Sequence, residues 1–273
     1  MTLLKHPEDR IPVTLFFLFF ASDWVVYATA TQRWIPVLWF VICMVPKGWV
    51  CAWNHHHQHV AMFRQALLNR LLEVGFALQT GVTTNAWTLH HVLGHHVNYL
   101  DPVKDESGWM NPAGTPMGLW EYTWKNTLAA YPRAWRVSAR YPRHRRLFAA
   151  ALLWTLGIVV LALVHNPWNA VFVFVLPMAF SLTGTVWVTW FHHANLKTDD
   201  PMQASTNTLD PLYNLFTGNL GYHTAHHHRQ ALHWSKLPAL HAELEQRIPE
   251  STLLSVGFPF SLFPGLSRRM EGA

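Results

Sequence analysis

The residues best suited to chemistry in this chain are histidines. Fourteen of its 19 fall at 55–59, 90–96, 192–193 and 223–228, and a fifteenth, His233, lies just beyond. His55 and His59 stand four apart, so on an α-helix they share one face and can reach one ion. His56 and His59, three apart, fit a helix as well, which leaves the register of this cluster open. His91 and His95 repeat the spacing of four, and His96 is turned about 100° onward, toward a second ion. His223, His226 and His227 follow at i, i+3 and i+4. Neutral imidazole binds iron, zinc, copper and nickel, so ligand type does not name the metal. Ligand number says more. Eight histidines from three boxes and one from His192–His193 exceed a four-coordinate zinc centre and suit two ions with open positions. A membrane zinc hydrolase is the rival outside oxidation, but it needs a carboxylate base beside few ligands, as in HExxH, and no such motif occurs. His6, His144, His165 and His241 are isolated and are read as surface or satisfied core residues.

These clusters need a scaffold, and composition indicates which kind. Only 13% of the residues are charged, against roughly 25% in soluble domains. Four segments approach the length of about 20 apolar residues that spans a bilayer: 11–30, 34–53, 147–164 and 168–191. The first two carry a single charge each, Asp23 and Lys47, and the other two carry none. The first run is long and no small-residue cleavage site follows it, so it is expected to be a span rather than a signal peptide. The short links 31–33 and 165–167 make two hairpins. The long link between them carries Arg64, Arg70, Lys104, Lys125 and the arginine-rich run 133–146. The positive-inside rule therefore expects that link and both termini in the cytoplasm. The net charge of +5 is concentrated in that run and suits a membrane surface rather than nucleic acid. Cys43 and Cys51 form no metal-spacing motif. The fold expected is all-α: one domain over 1–273, a polytopic membrane protein of four transmembrane helices in two hairpins. A cytoplasmic helical cap, 54–146 and 192–273, holds the metal site. All four histidine clusters then fall on one membrane face.

The boxes resemble a known superfamily. His55-His-His-Gln-His59, with Phe63 four residues on, resembles the first box of membrane fatty acid desaturases. Trp87-Thr-Leu-His-His91-Val-Leu-Gly-His95-His96 resembles the second, and its HxxxHH spacing with the preceding Gly is closer to the membrane alkane hydroxylases. The acidic stretch Asp101-Pro-Val-Lys-Asp105-Glu106 is also hydroxylase-like. Gly221-Tyr-His223-Thr-Ala-His226-His227 resembles the third desaturase box, and Trp234-Ser-Lys-Leu-Pro238 the segment after it. Trp190-Phe-His-His193, ending in Asp199-Asp200-Pro201, is similar to an extra ligand region of bacterial members, where a Gln-His pair precedes an Asp-rich turn. By that match His193 is the ligand and His192 stands in the place of the Gln. The resemblance implies a di-iron centre held by His55, His59, His91, His95, His96, His193, His223, His226 and His227. The first box has no Asp after its first His, and the third carries an additional His228. His90 and His228, with Asp101, Asp105, Glu106, Asp199 and Asp200, are candidates for fixing the tautomers of the ligands.

What the resemblance implies chemically is O2-dependent oxidation of an unactivated C–H bond of a fatty acyl chain by two iron ions. Desaturation is favoured by the third box and its tail. Hydroxylation, and decarboxylation to a terminal alkene, are the alternatives within the superfamily. The acyl substrate could be free or linked to CoA, acyl carrier protein or lipid. No haem, flavin or Cys-rich iron–sulfur motif is apparent, so electrons are expected from a separate donor such as ferredoxin or rubredoxin with its reductase. The expected location is a membrane, the inner membrane if the source is bacterial, with the metal site cytoplasmic.

Overall fold

Long apolar runs with no partner in water form helices because a helix satisfies every backbone group internally. The structure, a computed structural model, describes residues 2–196, 198–256 and 268–269, the last two by backbone alone. Most of the expected cap beyond Val256 lies outside the described residues. The order is α1 (Arg10–Thr29), α2 (Trp34–His59), α3 (Ala66–Thr80), α4 (Leu119–Ser138) and α5 (Pro142–His165). Then come α6 (Pro167–His193, with a π-turn at Val171–Val175), α7 (Pro211–Thr217), α8 (His223–His228) and α9 (Leu237–Leu244). The described strands are a single two-residue pair, Leu254–Ser255 with Arg268–Arg269.

The four expected spans correspond to α1, α2, α5 and α6. Counting the turn at Pro7–Asp9 with α1, these helices run 23, 26, 24 and 27 residues, enough to cross a hydrocarbon layer about 30 Å thick. Their outward faces carry Phe17, Leu18, Val41, Ile42, Leu153, Leu161 and Val164, all exposed. In water such a surface would be an aggregation hazard; in lipid it is the solvated face. The protein is therefore an all-α, polytopic membrane protein. Three helices differ from the sequence reading at their ends, and α5 starts at Pro142, ahead of its apolar run at 147. The apolar run of α2 stops at Trp53 but the helix continues through His59, and α6 continues past Phe191 through His193. Helix propagation adds a hydrogen bond per residue, so a formed rod extends past its greasy part at little cost.

The chain divides into two compact units, Met1–Leu89 with Ala129–Thr185, and His90–Leu128 with Val186–Ala273. The first unit contains both hairpins. Its core joins α1, α2 and α3 through Phe16, Val50, Trp53, Leu72 and Phe76, with Phe16 and Phe76 edge to face at 4.7 Å. The two hairpin turns are tied together by Asn169, whose Nδ2 donates to the carbonyls of Tyr27 (3.0 Å) and Ala30 (2.9 Å). Tyr27 returns the link, its hydroxyl donating to the Ala162 carbonyl at 2.9 Å. Gly81 ends α3 in the left-handed conformation (φ 70°), and a Cβ there would lie 2.3 Å from the Met178 carbonyl oxygen. Only glycine meets both demands.

The two charges in the first hairpin find each other. Lys47 Nζ lies 2.7 Å from Asp23 Oδ2, with both side chains buried. Trp39 Nε1 donates to Oδ1 at 2.8 Å and Gln79 Nε2 to Oδ2 at 2.9 Å. Three donors on one carboxylate make the buried charge tolerable, and they fix the register of α1, α2 and α3. Breaking such a pair from one side leaves a bare charge. We expect Lys47→Met to lower unfolding stability in detergent by about 3–5 kcal/mol, read as a shift in thermal midpoint. Adding Asp23→Leu should restore part of that loss, whereas additive losses would show that the pair is not coupled.

Candidate metal centre

In the first unit, the last two turns of α2 carry the first histidine box. His55 and His59 bring their rings to 4.9 Å and offer ligand atoms within 4.8 Å of each other, so the i, i+4 register is the one that forms a pair. His57 points elsewhere. Its Nδ1 accepts from the Met62 backbone N–H at 3.4 Å, so its Nε2 carries the proton toward Glu73 Oε1 at 3.2 Å. Arg70 holds the other oxygen of Glu73 at 2.5 Å. The carboxylate on α3 thereby fixes the rotation of the α2 end about its axis.

In the second unit, seven of the nominated ligands pack ring against ring, and the His192 ring lies 4.0 Å from that of His223. The second box is not a continuous α-helix. A π-turn, Thr88–Val92, runs through turns into a short 3-10 turn at His96–Asn98, and π-turns gather at functional sites. Across this stretch the His91 and His95 rings lie 5.3 Å apart, but their nitrogens join different groups. His91 offers a nitrogen within 4.8 Å of one from His226, and His95 does the same with His193 and His227. His96 Nε2 stands 2.9 Å from His91 Nε2, and His223 Nε2 stands 3.1 Å from His193 Nε2. Two nitrogens bonded to one ion at about 2.1 Å and at right angles are about 3 Å apart, so both separations suit a shared ion.

Each ligand needs one nitrogen held by the protein so that the other faces the metal. For His95, Asp105 does this: Nδ1 donates to Oδ1 at 2.6 Å. The same oxygen accepts the Ser107 backbone N–H at 2.8 Å. The chain reaches this position by reversing at Leu100, whose φ of 71° is a strained setting costing about 1–3 kcal/mol. For His193, Nδ1 faces the Ala204 carbonyl at 3.3 Å.

The remaining nitrogens test whether a metal fits. His95 Nε2 and both nitrogens of His227 are buried without a hydrogen-bond partner. Burial and the neighbouring imidazoles hold His227 well below the ordinary histidine range, so it is neutral, with a lone pair free for a cation. Tyr99 stacks on its ring at 4.1 Å and 25°. Leaving a buried polar group unpaired costs about 1–3 kcal/mol. A metal ion bonded to His95 Nε2 and to one nitrogen of His227 removes that cost at two of them, and the donor set fits one.

The third box is held by residues that the histidine pattern did not point to. Asn207 Oδ1 accepts from the Thr224 N–H at 3.0 Å, and its Nδ2 donates to Thr224 Oγ1 at 2.8 Å. Ser205 Oγ also meets Thr224 Oγ1 at 2.8 Å. Thr206 N–H donates to the His192 carbonyl at 2.9 Å. The 204–208 strip thus laces the end of α6 to α8. Its signal in the sequence was a Ser-Thr-Asn-Thr run that is buried despite its polarity. Gly221 enters α8 so closely that a Cβ would lie 2.2 Å from the Thr208 carbonyl oxygen.

The other candidates separate cleanly. His192 Nε2 faces the Tyr213 hydroxyl at 3.2 Å, outside the nitrogen groups that His193 joins. His90 is buried on the π-turn, whereas His228 is exposed. Asp101 accepts the N–H groups of Val103 and Lys104 and pairs with Lys104 Nζ at 2.9 Å. Asp200 likewise caps its own turn through Met202 and Gln203, and Asp199 is exposed. Among the five acidic candidates, Asp105 holds a ligand histidine.

An all-α membrane protein with a packed set of oriented imidazoles defines the class: a polytopic membrane protein with a histidine-lined centre. The chain belongs to the fatty acid desaturase family, whose model matches residues 32–257. That membership makes fatty acyl oxidation its general activity. No curated protein matches the chain.

Two substitutions test the support of the centre. Asp105→Asn should lower metal affinity about 10–100-fold with the fold intact, while Asp101→Asn should leave it unchanged, both read as metal per protein by elemental analysis. Gly221→Ala should displace α8 and lose metal together with thermal stability.

Proposed function

We propose that this protein uses two iron ions and O2 to desaturate a fatty acyl chain. The ligands would be His55 and His59 of the first unit with His91, His95, His96, His193, His223, His226 and His227 of the second. The observation that carries the reading is the set of buried, unpartnered nitrogens on His95 and His227, in a chain of the desaturase family. Bound iron supplies the oxidising power toward a C–H bond that acid–base side chains lack.

The overall conversion balances as follows: adjacent methylenes lose two hydrogens to become a double bond, and O2 takes these with two electrons and two protons to leave two waters. The chain's own part is to hold and shield. Asp105 and the Ala204 carbonyl hold the protons of His95 and His193, and Tyr99 covers His227. Burial pushes the Tyr99 hydroxyl above the ordinary tyrosine range, so it stays protonated beside the centre. The two electrons come from a separate small redox protein such as a ferredoxin or rubredoxin. The arginine-rich link between the hairpins supports a cytoplasmic face for the site and both termini.

Expression in a host with lipid profiling tests the reaction: a new double bond is expected, and a hydroxylated acyl chain or a shortened terminal alkene would reassign it. His226→Ala should lose iron and all turnover. Retained turnover in that variant, or activity supported by zinc without reductant, would sink the di-iron reading.

A further inference from the structure

Six arginines lie between Arg133 and Arg146, yet no carboxylate occurs anywhere from Tyr122 to Thr198. Arg136, Arg140, Arg143, Arg145 and Arg146 are exposed, and among the described residues none of them forms an ion pair. They occupy the end of α4, the link 139–141 and the first turn of α5. A first helical turn favours acids over bases, so Arg143 and Arg145 there, with Arg146 next to them, oppose the helix as well as one another. Such a cluster persists when an external anion relieves it.

Two further observations say what carries that anion. First, α5 is a membrane span, so its opening turn sits where hydrocarbon gives way to headgroups. Second, the corner is aromatic. Trp135 is 44% exposed, and the Arg145 guanidinium lies over its ring, 4.3 Å from the centroid. By the helical period, exposed Trp120, Trp124 and Leu128 share this face of α4. Tryptophan rings flanked by arginines match the membrane interface, with rings at the acyl boundary and guanidinia at phosphate level. An acidic soluble protein would satisfy the charges but leave the aromatic face in water.

We propose that the α4–α5 corner is a binding site for the headgroups of anionic phospholipids, in the leaflet where α5 begins. Guanidinia grip phosphate through paired N–H donors, and each charge near the surface adds to the attraction. The proposal does not rest on the reaction proposed for the histidine centre.

The test uses the full-length protein in detergent, titrated with phosphatidylglycerol and with phosphatidylcholine of the same acyl chains, and bound lipid counted by native mass spectrometry. Wild-type protein should prefer phosphatidylglycerol, and added salt should weaken the preference. R136Q/R143Q/R146Q should lower that affinity on the order of tenfold or more, and the matching Arg→Lys triple variant should keep most of it. Monodispersity and thermal midpoint check that the variants fold, and the salt titration of wild type stands even where they do not. Equal retention of the two lipids by wild type overturns the proposal, as does a preference insensitive to salt. A glutamine variant that folds and keeps its lipid preference while losing an acidic redox protein would overturn it too, and assign the corner to protein docking.

Discussion

A buried imidazole has two nitrogens to satisfy, and the arrangement of this molecule follows from how that demand is met. Seven histidines packed together cannot all find hydrogen-bond partners, and the cost of leaving them bare is large beside the marginal stability of a fold. The second unit meets the demand by halves. One nitrogen of His95 is taken by Asp105 and one of His193 by the Ala204 carbonyl. The remaining nitrogens face inward toward one another. Such a cluster holds together best around cations, so a bound metal would also contribute stability to the unit that binds it.

The membrane part obeys the same accounting with charges in place of imidazoles. Asp23 and Lys47 are each intolerable alone in hydrocarbon, and together with Trp39 and Gln79 they become a pin. That pin sets the register of the first hairpin and α3. The other end of α2 is held by His57, Glu73 and Arg70. Between these two anchors the helix is a rigid arm, and it presents His55 and His59 from one side. Functional side chains are thus carried on rods whose rotation is set at both ends, the arrangement that precise metal geometry calls for.

Family membership and the histidine centre together place the protein among enzymes that oxidise fatty acyl chains. Its spans lie in the bilayer, so the leaflet around them belongs to its working environment. The arginine and tryptophan corner where α4 meets α5 fits that setting. It combines exposed guanidinia with exposed tryptophan faces.

The span count and the histidine boxes were legible in the residues alone. Hydrocarbon thickness dictates run length, and metal ligation dictates residue type and spacing, so both leave marks in a linear pattern. Helix ends were less legible: α2 and α6 outrun their apolar segments, because propagation does not depend on hydrophobicity. Choices between neighbouring residues were open until the chain folded. His55 rather than His56 pairs with His59, and His193 rather than His192 joins the nitrogen cluster, because adjacent residues on a helix point about 100° apart and only packing decides which direction faces inward. The same holds for Asp105, singled out from five acidic candidates by the reversal at Leu100, and for Asn207 and Thr224, whose bonds join segments distant in the chain. What residues do by their own chemistry was written in the sequence; which of them meet was decided by tertiary structure, since direction and distance exist only after folding.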